Sequence, residues 1–424
     1  MPPSEEIPAE AGAARVRRRP PADPAGAAVD PVVRHLLVAR ALRGFADGFV
    51  AVLLPAYLLA LGFGQLEVGF ISSATLAGSA LATLAVGAIG HRWPLPRLLR
   101  GAALLMAATG LAFAGLASFW PLLLVAFVGT LNPSSGDVSV FLPLEHARLA
   151  GAATGHARTA LYARYTLAGS LSAAAGALAA GIPSWLGAHA GVPLETGLRA
   201  MFAVYGLLGL IVWGIYRALP APNSGVESRA APLGASRGVV VRLAGLFSVD
   251  AFAGGLVVNA LLALWLFERF GLSLGQASLF FFVTGLLSAA SQLAAPIVAR
   301  RIGLLNTMVW THIPANLCLV AAAVSPWLPL ALALLFVRSA LSQMDIPTRT
   351  AFVMALVTPG ERAAAASFTA VPRSLASAAS PALAGAWMAA GWLAAPLVAS
   401  GLLKVGYDIA LLLAFRGVPL PEGE

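Results

Sequence analysis

The side chains in this sequence that could do chemistry are few, and most are charged groups set inside long apolar runs. Asp47 lies in the run 36–61 with Arg40 and Arg43, at spacings of three and four residues that put all three on one helical face. At about 1.5 Å per residue it sits about eleven residues in, roughly half-way through a bilayer. Asp250 has a similar depth in the run 239–267, with Asn259 two and a half turns further on. A charge at such a depth costs about 2.5–3.5 kcal/mol on insertion scales, so each needs a partner, a watery cavity or a task. Burial disfavours the charged form of a carboxylate, which makes Asp47 and Asp250 candidates for exchanging a coupled proton or touching a substrate. The plainer alternative is a static pair, Asp47 with Arg43 and Asp250 with some basic neighbour. Arg338, within the run 327–350, could bind an anionic substrate or neutralise either acid.

A second set reads as gating ion pairs. Asp137 with Arg164, and Asp345 with Arg373, place an acid near the end of one apolar run and an arginine about one and a half turns into the next. Substrate recognition is the alternative for these four. Lys404, the only lysine, has Asp408 four residues on and Tyr407 beside it, spacing that predicts a self-neutralising pair. Tyr57, Asn132, Gln292, Trp310, His312 and Asn316 read as packing or interface residues before they read as a binding site, and Trp265 as an interface anchor. Pro133, Ser134, Ser135 and Gly136, and separately Pro347, are expected to bend or unwind the helices that hold them. Neither a P-loop, an HExxH element nor a GxSxG element occurs, and the six histidines and single Cys318 form no metal-ligand spacing. The expectation is a non-enzyme with no cofactor and no metal.

The elements that carry these residues follow from composition. The chain is 59% hydrophobic and only 11% charged, too apolar for a soluble protein, so the net charge of +9 does not point to nucleic acid. Twelve runs long enough to span a membrane can be marked, roughly 36–61, 67–90, 97–117, 119–143, 158–181, 198–219, 239–267, 274–299, 305–325, 327–350, 367–391 and 393–415. Segments 158–181 and 367–391 are both rich in Ala, Gly and Ser, and sliding one onto the other superposes Arg164 on Arg373 and Gly176 on Gly385. Such a repeat in an apolar chain is the mark of two related bundles that rock about a site between them. The expected organisation is a disordered cytoplasmic tail (1–33), a first six-helix bundle (34–219), a Pro- and Ser-containing linker (220–237), a second bundle (238–416) and a short tail (417–424). Of the 27 basic residues, only Arg199 and Arg269 fall on the far side when the N-terminus is placed inside, while Arg40, Arg43, Arg164, Arg338, Arg373 and Lys404 lie within runs. That asymmetry predicts both termini in the cytoplasm. The fold class is therefore an all-α integral membrane protein of twelve transmembrane helices in two six-helix bundles.

With these features the chain resembles the major facilitator superfamily from about residue 35 to 416. After the second run that family carries a Gly, three residues, Asp-Arg, one residue and a Gly. Here Gly87 and Arg92 match, while His91 and Pro94 replace the Asp and the second Gly; in the repeat copy Arg301 and Gly303 match and Arg300 replaces the Asp. Pro143, Glu145 and Arg148, and Glu361 with Arg362, are similar to its pattern between runs four and five and between ten and eleven. The resemblance implies that runs one, four, seven and ten line a central cavity, across which Asp47 and Asp250 would face each other, and that the motif loop latches the halves on the cytoplasmic side. It implies a secondary transporter working by alternating access on a small-molecule substrate; with the buried acids, protons are the expected coupling ion, and the expected state is a monomer in a bacterial inner membrane. Proton-coupled efflux of a small organic compound is the leading expectation, although the exporter-type Gly-Pro of the fifth run is not met: Gly169, Gly176 and Gly181 are present without a proline. Uptake of a small organic anion, favoured by Arg338, Arg164 and Arg373, is the second, and a transport-incompetent sensor or assembly subunit of the same fold the third.

Overall fold

The computed structural model describes residues 31–134, 139–150, 155–219, 234 and 236–417. Asp137, and with it the expected partner of Arg164, lies outside them, as do the expected tails and most of the linker.

Sixteen α-helices follow one another among the described residues. The first half contains α1 (Pro31–Ala60), α2 (Gln65–Ile89), α3 (Leu95–Gly115), α4 (Phe119–Val128), α5 (Phe141–Ala150), α6 (Gly155–Ala179), α7 (Ile182–Ala190) and α8 (Leu194–Arg217). The second contains α9 (Arg237–Gly255), α10 (Asn259–Phe270), α11 (Leu274–Ile302), α12 (Leu304–Val324), α13 (Leu328–Ser342), α14 (Asp345–Leu356), α15 (Arg362–Ala389) and α16 (Ala395–Phe415). Nine helical stretches among the described residues are long and apolar enough to cross a membrane. The remaining expected spans are the charge-bearing α1, the ten-residue α4 and the Ala- and Ser-rich α15. Trp120, Trp185, Trp310, Trp327 and Trp392 point outward with many Leu and Val side chains, an outside suited to lipid. Trp265, expected as an interface anchor, is instead fully buried against Phe270, because α10 is enclosed by both halves.

The helices begin and stop for local reasons. The Ser273 hydroxyl accepts from the Gln276 N–H while Gln276 accepts from the Ser273 N–H, a capping box that starts α11. Gly303, at φ 85°, turns the chain from α11 into α12 in a conformation that favours glycine. Within each half, glycines bring backbones together: Gly48 of α1 meets the Ala173 carbonyl of α6, and Gly176 of α6 meets the Phe45 carbonyl of α1. In the second half Gly255 of α9 meets Ser377 and Ser380 of α15. Gly385, which the repeat aligns with Gly176, does a different job, for it packs across the halves on Gln65 and Gly69 of α2.

Three spans are broken rather than continuous. The break between α4 and α5 falls where Pro133 and its polar neighbours predict it, and the Asn132 side chain shapes it by accepting from the Ser134 N–H and hydroxyl. Pro347, by contrast, sits harmlessly in the first turn of α14, where its missing N–H is not needed; the break precedes it, at Gln343 and Met344. The break between α9 and α10, over residues 256–258, was not anticipated. Its signal is the adjacent pair Gly254 and Gly255. The α4–α5 and α9–α10 breaks are joined across the halves: the Ala260 N–H at the start of α10 donates to the Pro133 carbonyl at 3.0 Å. A helix start leaves its first N–H groups without internal acceptors, and here the other half supplies one.

Candidate functional site

Asp47 lies on α1, buried, beside Arg43, Met106, Thr130, Phe141 and Tyr205 in a narrow cleft. It has no hydrogen bond or ion pair within 4 Å among the described residues. Arg43, its expected static partner, lines the same cleft but makes its ion pair elsewhere. Its guanidinium donates to Glu145 of α5 and lies 4.2 Å from the centre of the Phe141 ring. Glu145, fully buried, also accepts from Tyr165 of α6 and, at 2.6 Å, from Tyr216 of α8. One carboxylate thus fastens α5 to three other helices. The sequence offered Glu145 only as part of a loop pattern. The Arg40 guanidinium stacks 5.3 Å from the Tyr165 ring centre, above Gly169, where a Cβ would collide with it.

The second half places Asp250 differently. Its carboxylate accepts from Lys404 of α16 at 2.5 Å and from Arg349 of α14 at 3.0 Å. Arg349 also pairs with Asp345, four residues before it on α14, at 3.3 Å. All these partners of Asp250 come from its own half, and no bond joins it to Asp47. The predicted Lys404–Asp408 pair is not formed. Asp250 takes the lysine, and Asp408, fully buried, accepts from the imidazole Nδ1 of His312 on α12 at 3.0 and 3.1 Å. His312 is therefore a member of this cluster rather than a packing residue.

The expected gating pairs fare as follows. Asp345 bonds Arg349 and not Arg373. The buried Nε of Arg373 has no hydrogen-bond partner, and the same holds for Arg338. Arg164 is exposed on α6 with no ion pair among the described residues. Asn259 forms the first residue of α10. Tyr57 is a packing residue, donating to the Phe113 carbonyl at 2.6 Å. In the motif loop Gly87 has open space around it, Arg92 and Arg301 are exposed, and the His91 side chain lies outside the described positions. No group of three or more metal-ligating side chains occurs among the described residues.

The order of helices and their breaks can be set beside known proteins. A sequence profile of the Major Facilitator Superfamily matches residues 36–381. The chain belongs to that family. It is similar to the uncharacterized membrane protein YJR124C of Saccharomyces cerevisiae, 23% identical over 419 residues, covering 89% of this chain and 92% of the yeast protein. Among solved structures, a D-xylose–proton symporter superposes with a TM-score of 0.73 at 15% identity, covering 93% of this chain and 99% of that one. The nucleoside transporter NupG gives 0.69 at 14% identity over 91% and 99%. The human organic anion transporter MFSD10 gives 0.61 at 18% identity over 91% and 100%. These likenesses show the fold, that of a multi-pass integral membrane transporter.

Proposed function

We propose that this member of the family is a secondary active transporter that works by alternating access, exports a small organic compound and couples export to protons through Asp47. The observation that carries this reading is the contrast between the two mid-membrane acids. Asp250 is held by two cations, whereas Asp47 is buried with no bonding partner among the described residues, in a narrow cleft lined by Arg43, Thr130 and Ser139 as well as Met106, Phe141 and Tyr205. A carboxylate so placed gains from binding a proton and loses by giving it up unless a ligand or water compensates. Asp250 then anchors its bundle and does not titrate during transport.

Basic-residue asymmetry supports termini in the cytoplasm, and the proposed setting is a plasma membrane of bacterial type. With that orientation the contact of Gly69 on Gly385 between the halves falls at the outer end, where α1 finishes and α2 begins. The conformation is then one closed to the outside. Uptake of a small organic anion is the second reading, favoured by the buried, unpartnered Nε atoms of Arg338 and Arg373.

The test is proton release from purified protein in detergent on adding pentoses, nucleosides and organic anions in turn, followed by flux in proteoliposomes under a pH gradient of either sign. Wild type is expected to release protons with one class of compound, and Asp47→Asn to bind the compound without release. Release that survives Asp47→Asn, or is abolished only by Asp250→Asn, would sink the assignment. Flux driven only by a gradient of the opposite sign would decide for uptake.

A further inference from the structure

The C-terminal charge cluster contains a competition that the central-cavity reading does not use. Lys404 and Asp408 are four residues apart on α16, hence on one face and within reach of each other. Asp408 nevertheless bonds His312, and Lys404 bonds Asp250. We propose that His312 and Asp408 form a second proton-binding site, outside the central cavity, and that its occupancy decides whether Lys404 holds Asp250 or Asp408.

The chemistry is one of charge matching in a dry interior. In the neutral tautomer that carries hydrogen on Nδ1, His312 donates to Asp408 but leaves its negative charge uncompensated, and a buried unpaired charge is costly. The cation nearest along the chain is Lys404, one turn away. A proton taken from water onto the other imidazole nitrogen makes the His312–Asp408 pair an ion pair, and Lys404 is released to Asp250. The structure holds the second arrangement.

Of the surrounding charges, Lys404 is the cation that shares a helix face with Asp408, whereas Arg373 of α15 stands near Asp250 and Arg349 and forms an ion pair with neither acid. Round His312, α16 carries Lys404, Tyr407 and Asp408, and α14 carries Asp345 and Arg349, which already bind each other. Arg338 on α13 bonds neither acid, and Arg300 and Arg301 stand at the far end of α11. Asp250 on α9 lies behind Lys404. Tyr407, whose buried hydroxyl has no partner, neighbours the cluster as a free donor. The lysine also touches the moving part of the fold. Its Nζ lies beside Gly254, where a Cβ would stand 3.7 Å from it, at the last turn of α9 before the break. A change of partner therefore alters how α16 grips the end of α9.

Because Lys404 is the only lysine in the chain, selective ¹³Cε-lysine labelling gives one signal that reports it without assignment. The labelled full chain in nanodiscs is titrated from about pH 5.5 to 8.5, the range in which an imidazole exchanges its proton. Wild type is expected to move between two limiting positions. His312→Gln should lose that movement and stay at the high-pH limit, Asp408→Asn should stay at the low-pH limit, and Asp250→Asn at the high-pH limit. A wild-type signal that does not move, or one that moves equally in His312→Gln, overturns the proposal. If His312→Gln fails to fold, Asp408→Asn decides alone: movement that persists there is a through-space effect of imidazole charge, not a change of partner, and also overturns it.

Discussion

Glu145 sets the sharpest expectation for a single residue. Its carboxylate is fully buried and satisfies Arg43, Tyr165 and Tyr216 together. Glu145→Ala strands the Arg43 charge and should cost about 3–5 kcal/mol. Tyr216→Phe removes one hydrogen bond to a charged group and should cost about 1.5–3 kcal/mol. Thermal unfolding in detergent checks both, with Glu145→Ala the lower-melting variant. The sequence pointed to a buried charge on α1 correctly but not to its partner, because Glu145, Tyr165 and Tyr216 come from three other helices. Lys404 teaches the complementary lesson. Spacing of four residues says that Lys404 and Asp408 can meet, but not that Asp250 and His312 compete for them.

At the scale of elements, backbone contact decides. A Cβ on Gly48 would stand 2.0 Å from the Ala173 carbonyl oxygen, and backbone cannot move aside as a side chain can. Gly48→Ala should therefore destabilise by about 1–3 kcal/mol. Gly245, on the same kind of helix with nothing near it, should become more stable by about 0.5–1 kcal/mol as alanine. The two melts compared give the contact its weight. Outside the spans, Glu361 accepts from the Ser236 N–H at 3.0 Å and the Gly234 N–H at 2.7 Å, tying the approach to α9 onto the turn before α15. Hydrogen bonds from Ser236 and from the Gly234 backbone hold its carboxyl below the usual range. A lowered value means the tether is complete above the ordinary glutamate value of about 4.3 and is lost as pH falls through the lowered one. Hydrogen exchange at the Ser236 amide, corrected for its intrinsic pH dependence, should show constant protection above the ordinary glutamate value of about 4.3, a fall only at pH below it, and no such protection in Glu361→Ala. Of the breaks, the one at Pro133 was legible because proline and its polar neighbours interrupt an apolar run. The one after Gly255 was not, since two glycines in a glycine-rich chain of 43 stand out little.

Across the whole molecule, the halves meet where the Ala382 N–H of α15 donates to the Ser73 hydroxyl of α2 at 2.9 Å. That amide follows Pro381 in a helix carrying two prolines. Cysteines at Ser73 and Ala382, in a Cys318→Ser background, should cross-link on mild oxidation, since the Ser73 side chain already reaches the Ala382 amide. Oxidation should then stop flux in proteoliposomes, and reductant should restore it. Cross-linking with unimpaired flux would mean that this end need not open. An all-helical membrane protein of this family was legible from composition and the repeat; which small residues pack within a half and which between halves was not, as Gly176 and Gly385 show.

The bond between Ala260 and Pro133 carries a consequence for how the bundles depend on each other. Hydrocarbon supplies no acceptor for a bare amide, and here the Pro133 carbonyl of the other half supplies one to the start of α10. Duplication of one ancestral bundle would have left identical gaps facing each other; here one copy contributes the donor and the other the acceptor. The halves are matched at this bond, and a replacement of either that lacked its break would leave that amide or that carbonyl without the partner it has here.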